Sequence, residues 1–332
     1  MREWCLFLVV VLMLAGCSGE NDIPIDDNDF SFELVRLEKD FRNISSREDA
    51  MNYVKKSPTL RNWMLNNIYP NDSIYAQRMG GLAANEGIQE LIQDVDRVYA
   101  DFETTTKTEI ENVVKRTQYY YPKLKPKQLV THVSGYGSVD ILISDQTHLI
   151  GLDYFLGGDT KYPLMSKDLP QYLAKYYAKP YLVSKYSKAL SKQFNEFDRE
   201  DESVLAHMIY YGKELYFAEM THPGCPDSVY IEYTAEEISG VETFASELVW
   251  KYFISNNLFF STKPEHVSKY IQPRDKTREI ADKMPGRIGQ WLGWQIVRAY
   301  MEKHPEITLR NLMEDSDAKN IFNQSGYKPK TQ

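Results

Sequence analysis

Leu129-Val130-Thr131-His132-Val133, Val139-Asp140-Ile141-Leu142-Ile143 and His148-Leu149-Ile150-Gly151-Leu152-Asp153 decide the fold class of this chain. Each is a short run enriched in β-branched residues, and turns bearing Gly or Asp separate them. They read as a small antiparallel meander. On both sides the apolar spacing becomes helical. Residues 47–118 read mostly as helix, with breaks at Ser57-Pro58, Tyr69-Pro70-Asn71 and Gly80-Gly81. Ile88, Leu91, Ile92 and Val95 keep helical spacing, as do Ile110, Val113 and Val114. Further helices are expected near 168–190, 200–220, 234–260, 265–282, 286–303 and 306–315. The expected class is therefore α+β, mainly helical: helices in 30–125, a small antiparallel sheet in 126–160, helices again in 161–332.

The chain opens on an apolar run, Leu6 to Leu14, followed by Leu14-Ala15-Gly16-Cys17. The run is shorter than the ~20 residues that a membrane-spanning helix takes, so it reads as the core of a secretory signal. Leu-Ala-Gly-Cys resembles the lipobox of bacterial lipoproteins, which implies that Cys17 becomes the diacylated first residue of the mature chain. An ordinary secretory signal cut elsewhere is the alternative. The stretch Ser18–Asp29 holds five acids and no base. It reads as a solvated tether, similar to the surface-export signals of Bacteroidetes lipoproteins. The division expected is a signal peptide at 1–16, a lipidated acidic tether at 17–29 and a single domain at 30–332.

An apolar fraction of 42% and an aromatic fraction of 13% suit a folded protein with a large core. The formal net charge of −8 argues against a general binder of nucleic acid or anionic lipid, because neither surface would attract it. With Cys5 in the signal and Cys17 lipidated, only Cys225 remains, so neither a disulfide nor a cysteine zinc cluster is expected.

Common catalytic signatures are missing. There is no P-loop, no dinucleotide fingerprint and no Gly-x-Ser-x-Gly elbow. No two of the six histidines stand four residues apart, the spacing that lets two imidazoles on one helical face hold zinc. Two helices still stand out. Val204, Leu205, Met208, Ile209, Leu215 and Tyr216 form an apolar stripe with His207 at its edge. Pro285–Met301 sets large aromatics around Gly289 and Gly293, one turn apart, where another backbone can approach closely. Its Arg287 and Arg298 need partners if buried, and Asp153, Asp159 or Glu247 are the acids proposed from sequence for that polar network.

The lipobox, Leu152–Asp159, His207–Lys213, Val249–Ile254 with Leu258–Thr262, Pro285–Arg298 and Ser325–Pro329 together resemble the gliding-motility lipoprotein GldB family of Bacteroidetes. The same landmarks are similar to predicted zinc-dependent proteases of the HExxH type. Laid on that pattern, His207 matches the first zinc-binding histidine, Met208 the glutamate base, Tyr211 the second histidine and Glu247 a downstream carboxylate ligand. A zinc peptidase needs two histidines and a glutamate there, and this chain keeps one of the three. The resemblance thus implies an outer-membrane lipoprotein of a gliding or type IX secretion-like system. It implies as well a degenerate metallopeptidase scaffold with a candidate vestigial site (His207, Tyr211, Glu247), no metal and no cofactor.

On that layout the strand through Leu149, Gly151 and Asp153 borders a groove floored by the His207 helix. Its exposed edge would take an extended peptide, unless a loop or the Tyr-rich 172–186 helix covers it. Other envelope proteins or extended peptides are the expected partners. Two other readings stay open. One is a residual hydrolase using His207 with Glu214, aided by Tyr210 or Tyr211. The other is a surface glycan binder, for which the tether and the stock of Tyr and Trp speak.

Overall fold

The computed structural model describes residues 23–25, 27–157 and 170–329. The expected signal peptide, Cys17, most of the expected tether and Asp159 lie outside the described residues. At the end of the tether Ile23 is buried, and the Asn28 amide donates to Gln118 Oε1 at 2.8 Å. That end therefore rests on the folded part of the chain.

The architecture is a mainly helical α+β fold around one four-stranded sheet. The first half runs β1 (Glu33–Arg36), α1 (Leu37–Phe41), α2 (Arg47–Lys55), α3 (Pro58–Asn67), α4 (Asp72–Ala83), α5 (Glu86–Val98) and α6 (Thr106–Tyr120). Side chains of Ser46, Ser57, Asn71 and Asn85 cap α2 to α5, each accepting a backbone N–H of the first turn. Then come β2 (Gln128–His132), β3 (Ile141–Ile143), β4 (Thr147–Gly151) and a short 3-10 turn at Leu152–Phe155.

The second half is α7 (Gln171–Ala174), α8 (Lys179–Ser191), α9 (Val204–Thr221), α10 (Asp227–Ile231), α11 (Ala235–Gly240), a π-helical turn at Val241–Ala245, α12 (Ser246–Ser255), α13 (Pro264–Tyr270), α14 (Ile288–Lys303), α15 (Leu309–Glu314) and α16 (Ala318–Ser325). Pro180 splits the helix expected at 168–190, since it suits the first turn of α8 but cannot continue a helix from before it. Pro273 likewise stops α13 at Tyr270, well short of 282.

The sheet is mixed rather than an antiparallel meander. Its order is β1-β2-β4-β3, with β1, β2 and β4 parallel and only β3 antiparallel to β4. Burial explains this. The residues of β4 are all buried and those of β2 nearly so, as suits interior parallel strands covered on both faces. The expected peptide-binding edge is corrected by the same topology. Leu149 and Gly151 sit in β4 with β2 on one side and β3 on the other, so no row of unpaired backbone groups is left there. Asp153 follows in the 3-10 turn. Nor does α9 floor a groove beside this strand: α8 packs against both β3 and α9 and stands between them. His148 of β4 meets α8 through Tyr186, Nδ1 to Oη 2.5 Å.

Candidate functional site

α9 and α14 form the most extensive helix pair of the molecule. Ser203 caps α9, its hydroxyl accepting from Ala206 N at 3.2 Å. The two helices cross where Gly293 meets Met208 and Gly212. A Cβ on Gly293 would lie 1.9 Å from Met208 O, and one on Gly212 would lie 2.5 Å from Gly293 C. Two glycines at one crossing let the backbones touch. Gly289, one turn away, lies under Tyr270 and Ile271 of the α13 end.

This crossing places the proposed vestigial residues. His207 is half-buried, its ring 5.2 Å from that of Phe197. Burial pushes its imidazole below the ordinary range, and Asp201 and Glu202 oppose the shift. Tyr211 is half-buried one turn on, its ring edge-on to Tyr210 at 5.3 Å. Met208, at the position that matches the glutamate base, is fully buried at the crossing. Glu247 pairs with Lys251 on its own helix at 2.7 Å, and both side chains are well exposed. The structure does not assemble these residues into a metal centre. Among the described residues no group of three or more His, Cys, Asp or Glu is placed to hold a metal ion.

His207 and Glu214 do not couple. Seven residues apart on one helix, they are separated by about 10 Å along its axis. Glu214 is buried toward the lysines of α8. Burial raises its carboxyl, Lys192 and Lys188 oppose this, and Oε2 has no hydrogen-bond partner.

Charge chemistry gathers instead at the two ends of α14. At its start Arg287 has a left-handed backbone, φ 57°, and so does Glu232, φ 58°, the residue it binds. Such conformations are uncommon for residues with a Cβ. Arg287 donates to Glu232 O at 2.9 Å and to Oε2 at 3.3 Å. Lys185 and Lys188 of α8 reach Glu232 Oε1 at 2.9 and 2.5 Å, and Lys188 also donates to Tyr230 O. Burial alone would raise the Glu232 carboxyl, yet these three cations hold it far below the carboxylate range. One buried carboxylate thus ties α8, α10 and α14 together.

Near the other end, Arg298 grips Asp227 through two N–H groups at 2.5 and 2.9 Å, and Glu219 of α9 at 2.9 Å. Its guanidinium lies 3.7 Å over the Trp294 ring, whose indole N–H donates to the same Glu219. The arginines proposed from sequence are therefore networked, but with Glu232, Glu219 and Asp227. Asp159 lies outside the described residues and Glu247 points elsewhere. Asp153 spends Oδ2 on the backbone N–H groups of Ser134 and Tyr136, both at 3.0 Å. Sequence reading passed over the true acids because they stand 55 to 79 residues from their arginines, with no local spacing to mark them.

A third feature is Lys213, fully buried on α9, which donates to the carbonyls of Glu196, Met313 and Asp315 at 3.0, 3.2 and 2.7 Å. It fastens the end of α15 to α9. Burial pushes its amine down to about 8. Cys225 is half-buried and burial raises its thiol, the opposite of what a nucleophile needs.

Fold and site together define a helix-dominated α+β scaffold pinned by buried ion pairs. The family model for the gliding motility protein GldB matches residues 18–329, and the chain belongs to that family. It is accordingly a gliding-motility-associated, membrane-anchored envelope lipoprotein. No helix among the described residues is long and apolar enough to cross a membrane. No curated protein matches the chain. No solved structure matches it.

Proposed function

We propose that this lipoprotein sits in the outer membrane through acylated Cys17 and serves a gliding or type IX secretion-like machine by holding protein or peptide partners, without catalysis. The observation that carries this reading is the family match, which begins one residue after Cys17 and runs through nearly the whole mature chain. A lipoprotein cysteine carries more than one acyl chain, enough for stable anchoring where a single chain is not.

The α9–α14 crossing supports the non-catalytic part. At the position of the water-activating glutamate, Met208 is packed against a neighbouring helix backbone. Only His207 remains of the three groups that zinc hydrolysis needs. The scaffold is peptidase-like in its landmarks alone.

The test is a deletion strain complemented with the parent gene, with Cys17→Ser, or with His207→Ala. The expected result is lost colony spreading or lost secreted cargo in the deletion, rescue by the parent and by His207→Ala, and no rescue by Cys17→Ser. A deletion strain that spreads and secretes like its parent would sink the cellular role. Purified protein that holds stoichiometric zinc through chelation, and cleaves peptides in a manner abolished by His207→Ala, would overturn the non-catalytic reading.

A further inference from the structure

The end of the tether and a basic loop meet at one glutamine. Gln118, in the last turn of α6, accepts the Asn28 amide through Oε1 at 2.8 Å and donates through Nε2 to Leu124 O at 2.9 Å. Asn28 N closes a turn onto Ile25 O at 3.1 Å, and Ile23 is buried just before that turn. Two extended residues and one turn keep Ile23 within about 14 Å of Asn28. Cys17 stands six residues before Ile23, and a chain of that length reaches at most about 20 Å. With Cys17 acylated, the bilayer surface therefore lies within about 35 Å of Asn28 and of the loop tied to it.

That loop carries the chemistry of a membrane contact. From Lys123 to Lys127 exposed and buried residues alternate: Lys123, Lys125 and Lys127 are exposed, Leu124 and Pro126 buried. Residues two apart in an extended chain share a face, so the three ammonium groups form one row. None of them takes part in an ion pair among the described residues. Ahead of the row stands Tyr119, 62% exposed and edge-on to Tyr120 at 5.0 Å. Tyrosine is favoured where a membrane meets water. A depression of about 670 Å³ beside the row is lined by Lys123, Lys125 and Arg310 against a single acid, Asp145, among the described residues. The positive charge is thus local, on a chain whose formal net charge is −8. Such a chain is not drawn to anionic lipid from solution, but once an anchor holds it there its basic face turns toward the headgroups.

We propose that Lys123, Lys125, Lys127 and Tyr119 dock the domain on the anionic, phosphate-bearing headgroups of the bilayer that holds its lipid anchor. The proposal rests on the acylation of Cys17 in the reading above and adds to it the face that the domain turns to the lipid.

The experiment uses the acylated lipoprotein inserted from detergent into preformed vesicles, either phosphatidylcholine alone or equal parts phosphatidylcholine and phosphatidylglycerol. A water-soluble acetylating reagent labels exposed lysines, and mass spectrometry reads the rate at each. The expected result is that Lys123, Lys125 and Lys127 react about fivefold more slowly on the anionic vesicles than on the neutral ones, the factor that ~1 kcal/mol per lysine gives. Lys283, another exposed lysine, keeps its rate, and raised salt abolishes the protection. Equal rates on the two vesicles overturn the proposal and leave the row to an acidic protein partner. Equal slowing of Lys283 overturns it as well. The intact mass tells this failure from failure of the anchor. A chain without acyl groups at Cys17 removes the anchor and the proposal together, whereas an acylated chain with unprotected lysines removes the docking face alone.

Discussion

Gly293→Ala tests the helix crossing on which the second half of the fold depends. The new methyl would sit 1.9 Å from Met208 O, 2.5 Å from Met208 C and 3.0 Å from its Cα. Ordinary C···O contact is about 3.3–3.6 Å, so α14 and α9 must part by roughly 1.5 Å. Every atom struck belongs to the backbone, so no side chain can swing away. Overpacking of well-fitted cores costs about 1–3 kcal/mol, and a backbone collision belongs at or above the top of that range. Alanine returns ~1 kcal/mol of helix propensity, leaving a net loss of about 2–3 kcal/mol. Gly81→Ala is the matched control. It lies within α4, and a Cβ there meets nothing within 4 Å. The propensity gain then stands alone, a stabilisation of about 0.5–1 kcal/mol. Thermal or urea unfolding of both variants should move the midpoint in opposite directions, by several degrees down for Gly293→Ala. Gly293→Ala unfolding at or above the parent midpoint would show that the helices do not meet through bare backbone, and the reasoning fails.

Glu232→Gln leaves Lys185, Lys188 and Arg287 buried without their anion, a loss of about 3–5 kcal/mol at pH 7. Because the folded Glu232 carboxyl is depressed, its stabilisation is present above the unfolded value near 4.3 and fades as pH falls below it. The gap between the urea midpoints of parent and variant should therefore begin to narrow below about pH 4 and close only well below pH 3, and a gap that stays constant with pH refutes the assignment. Glu214 is the reverse case: its folded carboxyl is raised, so its favourable contribution is present below the unfolded value and lost as pH rises. Glu214→Gln should raise the midpoint at pH 7 and not at pH 3, and a destabilised variant at pH 7 contradicts an uncompensated charge. Lys213→Met strips the donor from three carbonyls and should cost about 3 kcal/mol. Hydrogen exchange should then show α15 opening first, and uniform exchange across the chain argues against its role as the clasp of α15.

By itself the sequence determined the class and much of the helical skeleton, because those features are written in local periodicity and local caps. Leu91, Ile92 and Val95 are buried on α5 at the expected spacing, Ile110, Val113 and Val114 on α6 likewise, and Ser57-Pro58 and Asn71 open helices where breaks were read. It also marked Gly293 as a place of close approach, since glycine between large aromatics on a helix has few other uses. It could not name what approaches. That Met208 and Gly212 lie beneath Gly293, that Glu232 sits among three cations, and that Arg298 reaches Glu219 and Asp227 are all consequences of long-range packing. Strand order belongs to the same kind. β4 enters between β2 and β3 because a strand buried on both faces needs a neighbour along each edge, and the runs themselves read alike in either order. Periodicity tells a residue which way to face; only the tertiary fold decides what it meets there.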